Sequence, residues 1–195
     1  MSDTYCAIAF PHLALKDVSR ARAIIINHLI DHEIINSELS YCVLAEKEQG
    51  YGPGKQFIKA TIYEEEQLDC INGSYASFST GLAVNGLQVL TDHQTVGNAS
   101  GDWLGVNCPS CGKGHSYSGG VSSAIEEWLA KTGAGEWTCE HCQFSAPIVY
   151  LDFQNDMVLG NLILKFWNWL EISPDFVERL SELIGSKAKI IFCRL

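Results

Sequence analysis

The sequence predicts an α+β fold: a mixed or antiparallel sheet carrying two main helices, interrupted by an inserted subdomain. Three observations lead there. A strand–helix–strand pattern stands at each end of the chain. The middle is rich in strand and turn signals. Between the two halves lie two cysteine pairs, Cys108-Pro109-Ser110-Cys111 and Cys139-Glu140-His141-Cys142. At 195 residues with 47% hydrophobic content the chain suffices for one domain, residues 1–195, with residues 103–145 as the insert.

The N-terminal unit begins with Tyr5–Phe10, an apolar strand that stops at Pro11. Asp17 or Ser19 can cap a following helix that runs to about Ile35. Val18, Ala21, Ile25 and Leu29 recur at helical spacing, and Ile26 and Ile30 widen the apolar face. His28 and His32 share a face, but no third ligand is in view, so a solvated or half-buried surface is the expectation. Leu39–Ala45 and Phe57–Tyr63 read as strands. Between them, Gly50-Tyr51-Gly52-Pro53-Gly54-Lys55 fails the phosphate-loop pattern twice: Gln49 holds the first glycine position and Gln56 the Ser/Thr position. A structural turn is expected there.

Glu64-Glu65-Glu66 reads as a solvated acidic edge or a landing site for a basic partner. Asn85-Gly86 between apolar residues signals a hairpin with a type I′ turn. Inside the insert, Ser123 and Glu126 can form a capping box on a short helix with Ile125, Trp128 and Leu129 on one face. Trp128 and Trp137 are expected to build a small local core. Ala146–Phe153 and Leu162–Trp169 read as strands, the latter apolar on both faces. Ser173 caps a last helix, Pro174 takes its first position, Asp175 its first turn, and Gly185 ends it. Val177, Leu180 and Ile184 form its inner stripe, and Lys189–Cys193 reads as a central strand.

The cysteine pairs carry the strongest chemical signal. In a C-x-x-C turn two sulfurs point to one side of a tight loop, and the stretch from Gly112 to Thr138 separates the two pairs. Gly112 follows the first pair, where a positive φ is expected. Two facing turns place Cys108, Cys111, Cys139 and Cys142 tetrahedrally around a structural Zn²⁺. Two disulfides require an oxidising compartment, and a redox C-x-x-C normally comes singly. The arrangement resembles a four-cysteine zinc ribbon. Such a site is closed, so it predicts structure and not catalysis. His115 and His141 stand near the cysteines, but the quartet is complete without them. Cys6, Cys42, Cys70 and Cys193 lie in apolar runs and are expected as buried hydrophobes.

The formal net charge of −10 opposes nucleic-acid binding, which depends on neutralising phosphates. An acidic surface suits a basic protein partner. The first residues lack the pattern of a secretory signal, and no apolar run reaches membrane-spanning length, so a cytoplasmic protein without membrane contact is expected. No nucleophile elbow, H-E-x-x-H, deaminase or dinucleotide pattern occurs, and no enzyme is expected. In its Gly50–Gly54 loop and in the Leu159–Trp169 stretch with Asn168-Trp169, the chain resembles bacterial immunity proteins encoded beside secreted polymorphic toxins. That resemblance implies inhibition of a cognate toxin, basic and nuclease-like if the acidic charge is its counterpart. Glu64, Glu65, Glu66, Asp69, Glu126 and Glu127 are the candidate contacts, with Trp128 as a candidate anchor. A nucleic-acid-associated zinc ribbon and an undescribed enzyme are the competing expectations.

Overall fold

A computed structural model describes residues 3–44, 47–64, 81–97, 105–117, 120–153 and 157–195. The N-terminal unit comprises β1 (Thr4–Ala9), α1 (Leu15–Asp31) and β2 (Ile35–Ser40). Strands β3 (Gly50–Pro53) and β4 (Gly86–Gly97) follow. The insertion holds β5 (Gly105–Asn107), β6 (Gly114–Ser116), α2 (Gly120–Ala130), β7 (Glu136–Thr138) and β8 (Ser145–Pro147). The C-terminal unit is β9 (Met157–Trp167), α3 (Pro174–Ile184) and β10 (Lys189–Arg194).

The main sheet has the order β10-β1-β9-β4-β3-β2, with every pairing antiparallel. The fold is thus α+β with an antiparallel sheet. Side chains alternate across a strand, and both faces of β9 are apolar. Leu162, Leu164 and Phe166 join Ile8, Phe10 and Leu87 under α1 and α3. Ile163 and Trp167 join Tyr5, Ala7, Ala9, Ile191 and Cys193 on the other face. Burying both faces suits a strand flanked on both sides by partners.

β4 and β9 pair from Gly86↔Trp167 to Gly97↔Met157, so the insertion leaves and returns at one end of a long hairpin. A bulge between Thr91 and Gln94 bends that hairpin. Asp92 sits there with φ 76°, in the left-handed region that a non-glycine residue seldom enters. The bend carries the far end of the hairpin back over the sheet. The Tyr5 hydroxyl donates to the Gly97 carbonyl at 2.8 Å, although Tyr5 pairs with Trp167 at the hairpin's opposite end. Val96 and Val158 consequently pack with Ala7 and Ala9.

The last helix follows its local code: Phe176 N–H donates to Ser173 Oγ, and Gly185 closes it at φ 65°. Other elements depart from the sequence reading. α1 starts two residues before Asp17, behind the extended Ala14, without a side-chain cap. It ends at Asp31, and the turn through Glu33 (φ 54°) sends buried Ile34 and Ile35 into the sheet region, so β2 precedes the expected Leu39–Ala45 span. Gly50–Pro53 is a strand, not a turn. A Cβ on Gly50 would stand 2.5 Å from Val43 Cγ1 and 2.7 Å from the Leu87 carbonyl oxygen, so a close approach demands the glycine. Phe57–Ala60 is a short 3-10 turn, followed by a single bridge from Thr61 to Ile172. Asn85-Gly86 makes no hairpin: Asn85 N–H donates to the Cys42 carbonyl and Gly86 opens β4. In the insertion the helix begins at Gly120, which places Ser123 inside it and not at its cap. Ala146–Phe153 yields only the short β8 and a 3-10 turn at Ile148–Tyr150. β10 is an edge strand, not a central one, and Phe192 is 50% exposed on it. Cys6, Cys42 and Cys193 are buried as expected; Cys70 lies outside the described residues. No described helix is long and apolar enough to cross a membrane.

Candidate metal centre

Two small hairpins carry the cysteines. β5 pairs with β6 and β7 with β8, both antiparallel. Each loop is fastened by the same two backbone bonds. Cys108 N–H donates to the Lys113 carbonyl (2.9 Å) and Gly112 N–H to the Cys108 carbonyl (2.8 Å). Cys139 N–H donates to the Phe144 carbonyl (2.8 Å) and Gln143 N–H to the Cys139 carbonyl (2.9 Å). The residue after each second cysteine has positive φ: Gly112 at 71°, as its sequence position predicts, and Gln143 at 59°.

The geometry brings Cys108, Cys111, Cys139 and Cys142 together, with all four sulfurs within 4.8 Å of one another. Cys108 and Cys142 Sγ are 3.6 Å apart, Cys111 and Cys139 Sγ 3.8 Å. Four sulfurs about 2.3 Å from a common tetrahedral centre stand ~3.8 Å apart. A disulfide needs about 2.05 Å. The cluster therefore has the dimensions of a metal cage and could hold one ion. All four positions around that ion would be sulfur.

Backbone and sulfur neighbours act in opposite directions on two of the thiols. Burial raises the Cys108 thiol. The backbone N–H groups of Cys111 and Ser110, with the sulfurs of Cys142 and Cys139, outweigh that and hold it at about 7. The Cys111 thiol is pushed up to about 11: the Lys113 backbone N–H lowers it, but burial and the three neighbouring sulfurs prevail. The crowding thus moves Cys108 and Cys111 in opposite directions, and a bound dication would relieve the repulsion among thiolates. His115 Nε2 stands 3.3 Å from Cys139 Sγ, placed to donate to a thiolate. The His115 ring meets Trp137 edge-on at 4.9 Å. Neither His115 nor His141 belongs to the quartet.

Around the sulfurs lies a second core. Cys108, Cys139, Val121, Ile125, Trp128, Trp137, Ile148 and Phe153 pack with Met157 and Leu159 of β9. The bulge in β4 grips this unit. His93 Nδ1–H donates to the Trp128 carbonyl at 2.5 Å, and the His93 ring stacks on Trp128 at 4.3 Å and 2°. Asp92 pairs with Lys131 just past the helix. The Lys131 ammonium, with the His93 backbone N–H, lowers the Asp92 carboxyl below its usual range. Sequence reading missed His93 and Asp92, because nothing in a strand pattern marks a bulge.

The other predicted residues stand apart. Glu126 and Glu127 are exposed on α2. Glu64 is exposed beyond the bridge at Thr61. Glu65, Glu66 and Asp69 lie outside the described residues. Trp128 is 4% exposed, its ring occupied by His93 and the insert core, so it is not an outward-facing anchor.

Two measurements test this geometry. Gln143→Gly removes a left-handed non-glycine residue and forfeits only a 3.3 Å side-chain bond to the Glu140 carbonyl. It is expected to stabilise the insertion by ~1 kcal/mol, read as slower metal release to a competing chelator. His93→Ala removes the stacked ring and the bond to Trp128. It is expected to cost ~1–2 kcal/mol, read as faster amide exchange in α2 with metal content unchanged.

No protein-family model, curated protein or solved structure matches the chain.

Proposed function

We propose that this chain is a zinc-stabilised binding protein that inhibits a basic protein partner, as an immunity protein inhibits its toxin, and that it is not an enzyme. The carrying observation is the four-sulfur cluster, which leaves a bound ion no open position for water or substrate. Four thiolates in tetrahedral array select Zn²⁺ or iron–sulfur chemistry over hard cations, and one ion at this size of cage fits zinc. Zinc would add stability to the insertion and leave the protein's work to its surface.

The charge supports the partner's chemistry. A net −10 attracts a basic protein and speeds encounter with it. Four thiolates binding one dication make the chain more negative still. Glu126 and Glu127 stand exposed on the insertion; Glu64, Glu65, Glu66 and Asp69 supply a second acidic stretch.

A nuclease-treated pull-down with the tagged chain, read by mass spectrometry, tests the reading. The expected result is one basic protein in stoichiometric amount, released by salt and weakened by Glu126→Lys with Glu127→Lys. Recovery of transcription and translation machinery contradicts it, as does binding indifferent to salt and to both charge reversals.

A further inference from the structure

The main sheet ends on β2 at one side and β10 at the other, and the two edges are finished differently. β2 is bulged between Ile35 and Leu39 and exposes Asn36, Ser37, Glu38 and Ser40, an irregular and polar finish that keeps an edge from pairing. The middle of β10 has neither device. Its register against β1 runs unbroken from Thr4↔Arg194 to Ala9↔Lys189. Ile190-Ile191-Phe192-Cys193 carries no charge, proline or glycine, and Phe192 is exposed.

Hydrogen-bond parity fixes which backbone groups face outward. Leu195 N–H donates to the Asp3 carbonyl at 2.9 Å, so the odd-numbered residues of β10 turn their backbone groups to β1. The Thr4 carbonyl, opposite Arg194, accordingly serves β9 and accepts from Asn168 N–H at 2.8 Å. The N–H and C=O of Ile190 and Phe192 therefore point away from the sheet, and no strand among the described residues takes them up. The register partner of Phe192 is Cys6, which belongs to the core under α1 and α3, so the Phe192 ring lies on the helix side. There it borders a cavity of about 670 Å³ that Cys6, Trp169 and Glu171 also line.

Only an extended chain matches such a row of donors and acceptors. Charge selects which one. Residues 187–195 include Lys187, Lys189 and Arg194 and no Asp or Glu, in a chain of net −10. Lys189 meets Asp152 at 3.7 Å, which leaves the edge basic. Salt screens exposed charges farther off than about 8 Å, so the charge of the edge itself decides. A second copy would set the cations of both chains along one seam. We propose that the outer edge of β10 is a docking site for an extended, acidic segment of a partner protein. The segment adds a strand antiparallel to β10, exchanges backbone hydrogen bonds with Ile190 and Phe192, and lays an aromatic side chain beside Phe192 at the cavity. Its carboxylates fall along the basic flanks. The inference rests neither on the metal nor on the acidic stretches assigned to a basic partner.

The test titrates the full chain with acetyl-Glu-Val-Asp-Val-Phe-Val-Asp-Val-Glu-amide, whose symmetric sequence presents the same residues in either direction. Anisotropy of a labelled peptide reads binding, and amide exchange by NMR reads its place. In the dilute free chain the Ile190 and Phe192 amides are expected to exchange at least about tenfold faster than those of Ile191 and Cys193. Saturating peptide is expected to slow the first two at least about tenfold and leave the second two unchanged. Phe192→Glu should weaken binding at least about tenfold, as should lysine in place of every acid of the peptide. Ile190 and Phe192 amides already protected in the dilute free chain overturn the proposal, as does protection that grows with the chain's own concentration, the mark of a second copy. Absence of peptide binding, or binding that leaves those two amides exchanging, overturns it as well, and these readings on the unaltered chain need no variant to fold.

Discussion

Cys139→Ser is expected to empty the metal site and unfold the insertion while the six-stranded sheet persists. Cys139 is 0% exposed, lies in the insert core and receives His115 at its sulfur. A serine oxygen is a poor substitute for a thiolate, and the three remaining sulfurs cannot close a tetrahedron. Binding free energy at such a site is folding free energy, on the order of 10 kcal/mol in isolated zinc fingers. Metal content should fall below about a tenth of an ion per chain. Trp128 and Trp137, both buried, should shift their emission to the red as water reaches them. The effect stops at the hairpin because Ile8, Phe10, Leu164 and Phe166 form a core of their own with α1 and α3. Cys111→Ser, at an exposed corner of the quartet, should also lower metal affinity and disturb the core less. Full metal content with unchanged melting in both variants would rule the site out.

Phe166→Ala should produce the opposite pattern, a global loss of stability of about 3–5 kcal/mol. Phe166 is fully buried in a strand paired on both edges. Its ring meets Trp169 at 4.9 Å and Phe176 at 6.3 Å, both edge-on, so truncation opens a cavity between sheet and α3. That cost is a large part of the ~5–15 kcal/mol by which domains are stable. Urea unfolding should show a lower midpoint at constant slope. A loss under about 1 kcal/mol would mean that the cavity collapses or that the two cores do not divide as described.

The features legible in the sequence are those set by neighbours in the chain. Ser173, Pro174, Asp175 and Gly185 mark α3 because capping acts within a few residues. The cysteine turns are legible for the same reason, including the positive φ of Gly112. Gln143 occupies the matching place in the second turn, but its side chain disguises the equivalence. What failed depends on distant partners. Gly50–Pro53 becomes a strand because the Leu87 backbone and Val43 approach it closely. Asn85-Gly86 obeys a local turn rule until the Cys42 carbonyl claims the Asn85 N–H. Lys189–Cys193 has the composition of a central strand, but the pairing of β1 with β9 leaves β10 outermost. Lys165 lies over the ring of Tyr5, from the far end of the chain, so no local pattern marks that contact.

The four sulfurs lie close enough together to hold one metal ion as thiolates. Titration of the reduced, metal-free chain with Co²⁺ tests it most directly. Saturation is expected at one ion per chain, with strong thiolate-to-metal absorption and the intense visible bands of a tetrahedral site. Zn²⁺ should displace the cobalt, and each of Cys108, Cys111, Cys139 and Cys142 should be required for the full spectrum. Weak octahedral bands, or a spectrum unchanged by Cys139→Ser, would contradict it.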